Sequence, residues 1–122
     1  MEKQVILVVD DAPAIIDLLA GLLKDKYRVK AAINGKTALR IAQSAKPPDL
    51  ILLDIVMPEM DGLEVCKNLK KNAETTNIPI VFLSGEADEE ACERGMEIGG
   101  AAYLKKPVEP KSLFSVIEIL LS

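Results

Sequence analysis

Three runs of apolar residues constrain this chain before anything else: Val5 to Val9, Leu50 to Leu53 and Ile80 to Leu83. Each has the length of a strand, and each is continuous rather than alternating. That is the pattern of strands covered on both faces, as in a parallel sheet. Two weaker runs, Arg28 to Ala32 and Ala101 to Lys105, read as edge strands. Helical spacing recurs between them. Ile15, Leu19, Leu22 and Leu23 share one face; Ala38, Ile41, Ala42 and Ala45 follow the i, i+3, i+4, i+7 rule, as do Leu113, Val116, Ile117 and Leu120.

Punctuation supports that order. Pro13 falls in the first turn of the first helix, just after Asp11, a residue type that caps helices. Gly99-Gly100 ends the fourth helix, and Pro47-Pro48 marks the turn before the third strand. A strand–helix unit repeated five times results. Right-handed crossovers then favour an open, doubly wound α/β sheet. Three covered strands with two edges fit a five-stranded parallel sheet in the flavodoxin-like order 2-1-3-4-5.

With 122 residues the chain is one domain's worth of sequence, and half of it is hydrophobic, enough for one packed core. A net charge of −4 argues against a nucleic-acid-binding surface. The first apolar run is too short for a signal core, and nothing approaches a membrane span. Cys66 and Cys92 lie in helix-like segments without metal spacing, which reads as reduced core thiols in a cytoplasmic protein. There is no histidine. The usual proton-transfer group is absent, and any bound metal must be a hard ion held by oxygen.

In sheets of this kind ligands bind beyond the carboxyl ends of the strands. The first strand ends in Asp10-Asp11, the third in Asp54, the fourth in Ser84 and the fifth in Lys105-Lys106-Pro107. Three carboxylates, a hydroxyl and an ammonium therefore converge on one rim. Clustered carboxylates repel, and a divalent cation relieves the repulsion; Mg²⁺ suits an open, all-oxygen site. A metal, a lysine and a hydroxyl beside a carboxylate form a set that neutralises charge on a transferring phosphoryl group. Asp54 would be the nucleophile and form an acyl phosphate. Such a transfer needs positioning and charge stabilisation more than acid–base groups, so the lack of histidine is no handicap.

Over nearly its full length the chain resembles the response-regulator receiver domain of two-component signalling. The motifs are Val8-Val9-Asp10-Asp11, the stretch Leu52-Leu53-Asp54-Ile55-Val56-Met57-Pro58-Glu59-Met60-Asp61-Gly62, Phe82-Leu83-Ser84-Gly85 and Tyr103-Leu104-Lys105-Lys106-Pro107. The resemblance implies roles for them. Asp54 is the phosphoacceptor. Asp10, Asp11, Asp54 and the backbone carbonyl of Val56 are the Mg²⁺ ligands. Lys106 pairs with the phosphoryl oxygens, Ser84 is the switch hydroxyl, and Tyr103 is the aromatic that follows it. The turn that aims Lys106 at Asp54 implies a cis bond to Pro107. Residues 1–122 then form one receiver unit, stand-alone or part of a longer protein. It acts as a regulatory phosphoacceptor that assists its own phosphorylation and dephosphorylation, not as a turnover enzyme. Its donor would be a histidine kinase or histidine phosphotransfer protein. Val56 and Glu86 bear on the lifetime of the phosphorylated form.

Plainer readings stand beside these. Asp11 is expected to cap the first helix; Lys105 reads as a solvated charge, and Tyr103 as edge-strand packing. Met57-Pro58 and Asp61-Gly62 read as loop and turn chemistry, and Glu86 to Glu90 as a solvated helix start. A phosphatase of the haloacid dehalogenase type resembles Asp-X-Asp, but Val56 occupies the second position past Asp54. A pseudo-receiver, a binding module that never takes phosphate, is disfavoured because all the key side chains are present, and a dinucleotide site would need a glycine fingerprint after the first strand. On the fifth helix, Ile119 falls on the polar side, away from the core arc. It is expected to join an output face made by helix 4, strand 5 and helix 5, for an output domain, a partner or a second copy.

Overall fold

The apolar runs fold as the parallel sheet they predict. The computed structural model describes residues 2–85 and 87–122. In chain order it contains β1 (Val5–Val9), α1 (Pro13–Leu23), β2 (Arg28–Ala32), α2 (Gly35–Ala42), β3 (Leu50–Asp54), α3 (Gly62–Lys71), β4 (Ile80–Ser84), α4 (Glu89–Glu97), β5 (Ala102–Lys105) and α5 (Pro110–Leu121). The sheet runs β2-β1-β3-β4-β5, every pair parallel. The two weak runs are the two edges.

Alternation along each strand divides the interior in two, because successive side chains point to opposite faces. Leu7, Val9, Ile51, Leu53, Ile80 and Phe82 meet α2, α3 and α4 through Ala38, Val65, Cys66, Leu69 and Cys92. Ile6, Val8, Leu50, Leu52, Val81 and Leu83 meet α1 and α5 through Ile16, Leu19, Leu23, Leu113 and Ile117. Full burial of a leucine or isoleucine stabilises a fold by roughly 1.5–3 kcal/mol, so both layers hold the sheet from either side. Both cysteines are buried free thiols. Burial pushes the Cys66 thiol up, against the opposing charge of Lys70. Among the described residues, no helix is long and apolar enough to cross a membrane.

Two helix boundaries differ from the sequence expectation. Asp11 does not cap α1. The N-cap position is Ala12, without a side-chain cap, and it is Asp10 whose Oδ1 accepts the Ala12 N–H at 2.9 Å. Asp10 is turned inward and bonds two residues ahead, whereas Asp11 stays exposed. The helical repeat through Ala45 also overruns. α2 stops at Ala42, where Ser44 Oγ donates to the Ile41 carbonyl at 2.7 Å and Ser44 N–H donates to the same oxygen at 3.2 Å. A serine competing for a helix carbonyl, three residues before Pro47, is a stop signal. On α1 the buried residues are Ile16, Leu19 and Leu23, so the core face is centred on Ile16 rather than Ile15. α4 ends before Gly99, which takes φ +126°. Glu86, tied above to the lifetime of the phosphorylated form, lies outside the described residues.

Candidate functional site

The carboxyl ends of β1, β3 and β4 carry the polar groups that the sequence placed there. Each is held by ladder geometry. Asp10 N–H donates to Ala32 O at 3.1 Å, Ile55 N–H donates to Leu83 O at 3.2 Å, and Lys106 N–H donates to Ser84 O at 2.8 Å. Asp54 sits opposite Leu83, and Ser84 opposite Lys105. The side chains of Asp10, Asp54 and Ser84 are buried; Asp54 is 5% exposed.

Asp10, Asp11 and Asp54 each offer a carboxylate oxygen, and these oxygens lie within 4.8 Å of one another. The Lys106 ammonium enters from the fifth strand. It donates to Asp54 Oδ1 at 3.0 Å and stands 2.9 Å from Asp10 Oδ2. The second contact is an ion pair that compensates the charge of the buried Asp10 Oδ2, which makes no other hydrogen bond among the described residues. The Lys106-Pro107 bond is cis. The family resemblance implied that Lys106 is aimed at Asp54; its equal closeness to Asp10 carried no sequence signal.

The electrostatics follow from crowding. Burial pushes the Asp54 carboxyl up from 3.8 to about 6; Asp10 and Asp11 push the same way, and Lys106 opposes them. For Lys106, burial favours the neutral amine, but Asp10 and Asp54 outweigh it and hold the ammonium above its ordinary range. A buried carboxylate oxygen with only that ion pair, inside a trio of oxygens, fits a small hard cation. Val56 follows on the loop after β3 with its side chain 62% exposed.

Gly62 and Asp61 do more than turn the chain. Asp61 is the N-cap of α3, and its Oδ1 accepts the Glu64 N–H at 2.9 Å. The Asp61-x-x-Glu64 spacing was the available signal. Gly62 N–H donates to Ile55 O at 2.8 Å, and a Cβ at Gly62 would collide with the Asp54 carbonyl. Only glycine lets α3 start this close to the end of β3. Ser84 Oγ is buried with no hydrogen-bond partner among the described residues. Tyr103, on edge strand β5, is 46% exposed, and Lys105 forms a solvated pair with Glu89 at 3.6 Å. Ile119 on α5 is 72% exposed, clear of the domain's own core as its helical phase predicts.

The same fold and sequence pattern recur in known proteins. A family model for the response regulator receiver domain matches residues 6–118. The chain is 40% identical over 116 residues to the response regulator PleD of Caulobacter vibrioides, covering 94% of this chain and 25% of PleD. It is 36% identical over 118 residues to Protein PilH of Pseudomonas aeruginosa, covering 96% of this chain and 97% of PilH. The solved structure of the Vibrio cholerae chemotaxis protein CheY4 superposes with a TM-score of 0.89 at 32% identity, covering 98% of this chain and 99% of that one. The sheet order, the helices on both faces and these likenesses agree, and the chain belongs to the response regulator receiver domain family of two-component signalling.

Proposed function

We propose that this receiver domain, residues 1–122, is a phosphoryl-accepting switch in the cytoplasm. Asp54 takes the group from a phosphohistidine of a histidine kinase or phosphotransfer protein. One Asp54 carboxylate oxygen attacks phosphorus, the P–N bond breaks, and the imidazole leaves with its electron pair. The product is an acyl phosphate on Asp54. The observation that carries this reading is the buried Asp54 carboxylate with Lys106 at 3.0 Å and two more carboxylates beside it.

Lys106 is placed to neutralise oxygens of the arriving phosphoryl group, because its ammonium already faces the attacking carboxylate. Asp10, Asp11, Asp54 and the Val56 carbonyl would hold Mg²⁺. When bound, that ion offsets the negative charge gathered by carboxylates and phosphate. Ser84 Oγ, buried and unpartnered among the described residues, is a donor ready for a phosphate oxygen. Tyr103 on β5 would follow Ser84, and the change would leave through α4, β5 and α5, where Ile119 is exposed. Phosphate then favours one packing of that face, and a partner, output domain or second copy binds it better.

Treatment with acetyl phosphate and Mg²⁺ should add one hydroxylamine-labile phosphoryl group per chain. Asp54→Asn or chelation should abolish it. Full modification of the Asp54→Asn protein would overturn the assignment, and no modification of the wild-type chain would make the domain a pseudo-receiver.

A further inference from the structure

The loop from Ile55 to Gly62 is closed at its base by the Gly62 N–H to Ile55 O bond of 2.8 Å. At its tip Met60 N–H donates to Pro58 O at 2.8 Å, bridging Glu59 in a three-residue turn. Glu59 takes φ +68° there, the one non-glycine residue with positive φ among those described. A turn of this hand is rare and strained, and it persists only where neighbours hold it. The holding contact lies outside the loop. Met60 packs against the apolar layer beneath α2 and α3. A Cβ placed on Gly35, the first residue of α2, would stand 2.8 Å from Met60 Sδ and 2.9 Å from Met60 Cγ. The same Cβ would stand 2.9 Å from Val65 Cγ2 on α3. The bare Gly35 backbone is thus one wall of a socket for Met60.

We propose that Met60, seated on Gly35, is a positioning residue for the metal site, so that the start of α2 and the Val56 carbonyl move as one unit. The inference rests on the Mg²⁺ reading above. It assigns the support of that site to a side chain that touches no ligand. Base closure fixes the loop at Ile55 and Gly62. The turn at Glu59 throws Met60 towards α2, and the socket retains it there. Between those two anchors Val56 makes no backbone hydrogen bond back to the sheet among the described residues, and Met57 beside it is buried in the same apolar layer that receives Met60. Loss of the socket leaves Met57 as the loop's remaining apolar anchor, so the tip loosens and the carbonyl that must face the cation is held less firmly. Outer supports of metal ligands typically contribute 10–100-fold in affinity.

The test is Mg²⁺ titration calorimetry on the full chain, with thermal stability measured alongside. Met60→Ala and Gly35→Ala should each weaken Mg²⁺ about tenfold, the size expected for one lost outer support. The double variant should bind no more weakly than the worse single variant, because both changes cut one link. Val116→Ala on α5, which also loses apolar packing, should keep the wild-type affinity. Wild-type affinity in Met60→Ala, additive losses in the double variant, or an equal loss in Val116→Ala overturns the positioning role while leaving the metal site standing. Absence of Mg²⁺ binding by the wild-type chain overturns both. Met60→Ala only removes a side chain, so it decides the question even where Gly35→Ala does not fold.

Discussion

At the amino ends of the strands, Thr75 is fully buried and its Oγ1 donates to the Leu69 carbonyl at 2.7 Å. Lys70 beside it donates to the Thr76 and Ile78 carbonyls at 2.8 and 3.0 Å, and Asp49 Oδ2 accepts the Val5 N–H at 2.7 Å. At the carboxyl ends, Ser84 Oγ is just as buried yet has no hydrogen-bond partner among the described residues, and Asp10 Oδ2 has only the Lys106 ion pair at 2.9 Å. One end of the sheet satisfies its polar groups and the other withholds them. Buried polar groups left without hydrogen bonds are destabilising, and the proposed ligands would relieve that cost at the carboxyl rim. The amino rim stabilises the fold; the carboxyl rim is where the proposed cation and phosphoryl group would bind.

The contrast is sharpest at Asp54. Its carboxyl stands at about 6 in the fold against 3.8 for an ordinary aspartate. Between those values the folded chain binds the proton more tightly than the unfolded chain. Stability from this group is therefore complete at low pH and is lost as pH rises through the folded value. The loss is about 3 kcal/mol by pH 7, at 1.36 kcal/mol per unit. Denaturant titrations of the metal-free protein should show wild type losing that much relative to Asp54→Asn between about pH 4 and pH 7. Mg²⁺ at a hundredfold excess over its Kd should return about 2.7 kcal/mol to wild type. Parallel pH curves for the two proteins would break the comparison.

A smaller effect separates two hydroxyls. Thr75→Val should cost about 1–2 kcal/mol, because Leu69 O loses its donor. Ser84→Ala should cost less than about 0.5 kcal/mol or raise stability, because its hydroxyl has no bond to lose. Equal losses at both positions would mean that the two rims do not differ. The smallest effect is expected at the output face. Ile119→Lys should change stability by less than about 0.5 kcal/mol, as exposed substitutions do. It should also shrink any rise in self-association or partner binding that a beryllofluoride mimic produces. An unaltered rise would place the output elsewhere.

Much of this was legible because strands announce themselves locally. β1 and β2 have the predicted bounds, and β3 and β4 each extend one residue to include the site residues Asp54 and Ser84. The positions of Asp10, Asp54, Ser84 and Lys106 follow from where apolar runs stop. What the sequence hid depends on chain direction or on contacts across elements. Whether Asp10 or Asp11 bonds Ala12 depends on which of the two carboxylates the chain turns inward after β1, which residue types do not encode. The approach of Lys106 to Asp10 joins β5 to β1, strands separated in the sheet by β3 and β4. Met60, on the loop before α3, meets Gly35 at the start of α2, and each alone is an ordinary residue. Asp61 was readable from its spacing to Glu64, but its proximity to the phosphoacceptor motif drew it into the loop instead.

The split interior has a consequence for change over time. Site residues stand on strand ends, and the strands are fastened by two layers that share no helix: α2, α3 and α4 on one side, α1 and α5 on the other. The outward surfaces of those helices are therefore editable text. Lys111, Ser115, Glu118 and Ile119 can be rewritten on α5 while Leu113 and Ile117 keep the sheet fastened. If α5 carries the proposed output face, a lineage can exchange its conversation partner by redrafting one helix exterior and leave the strand ends at the rim untouched.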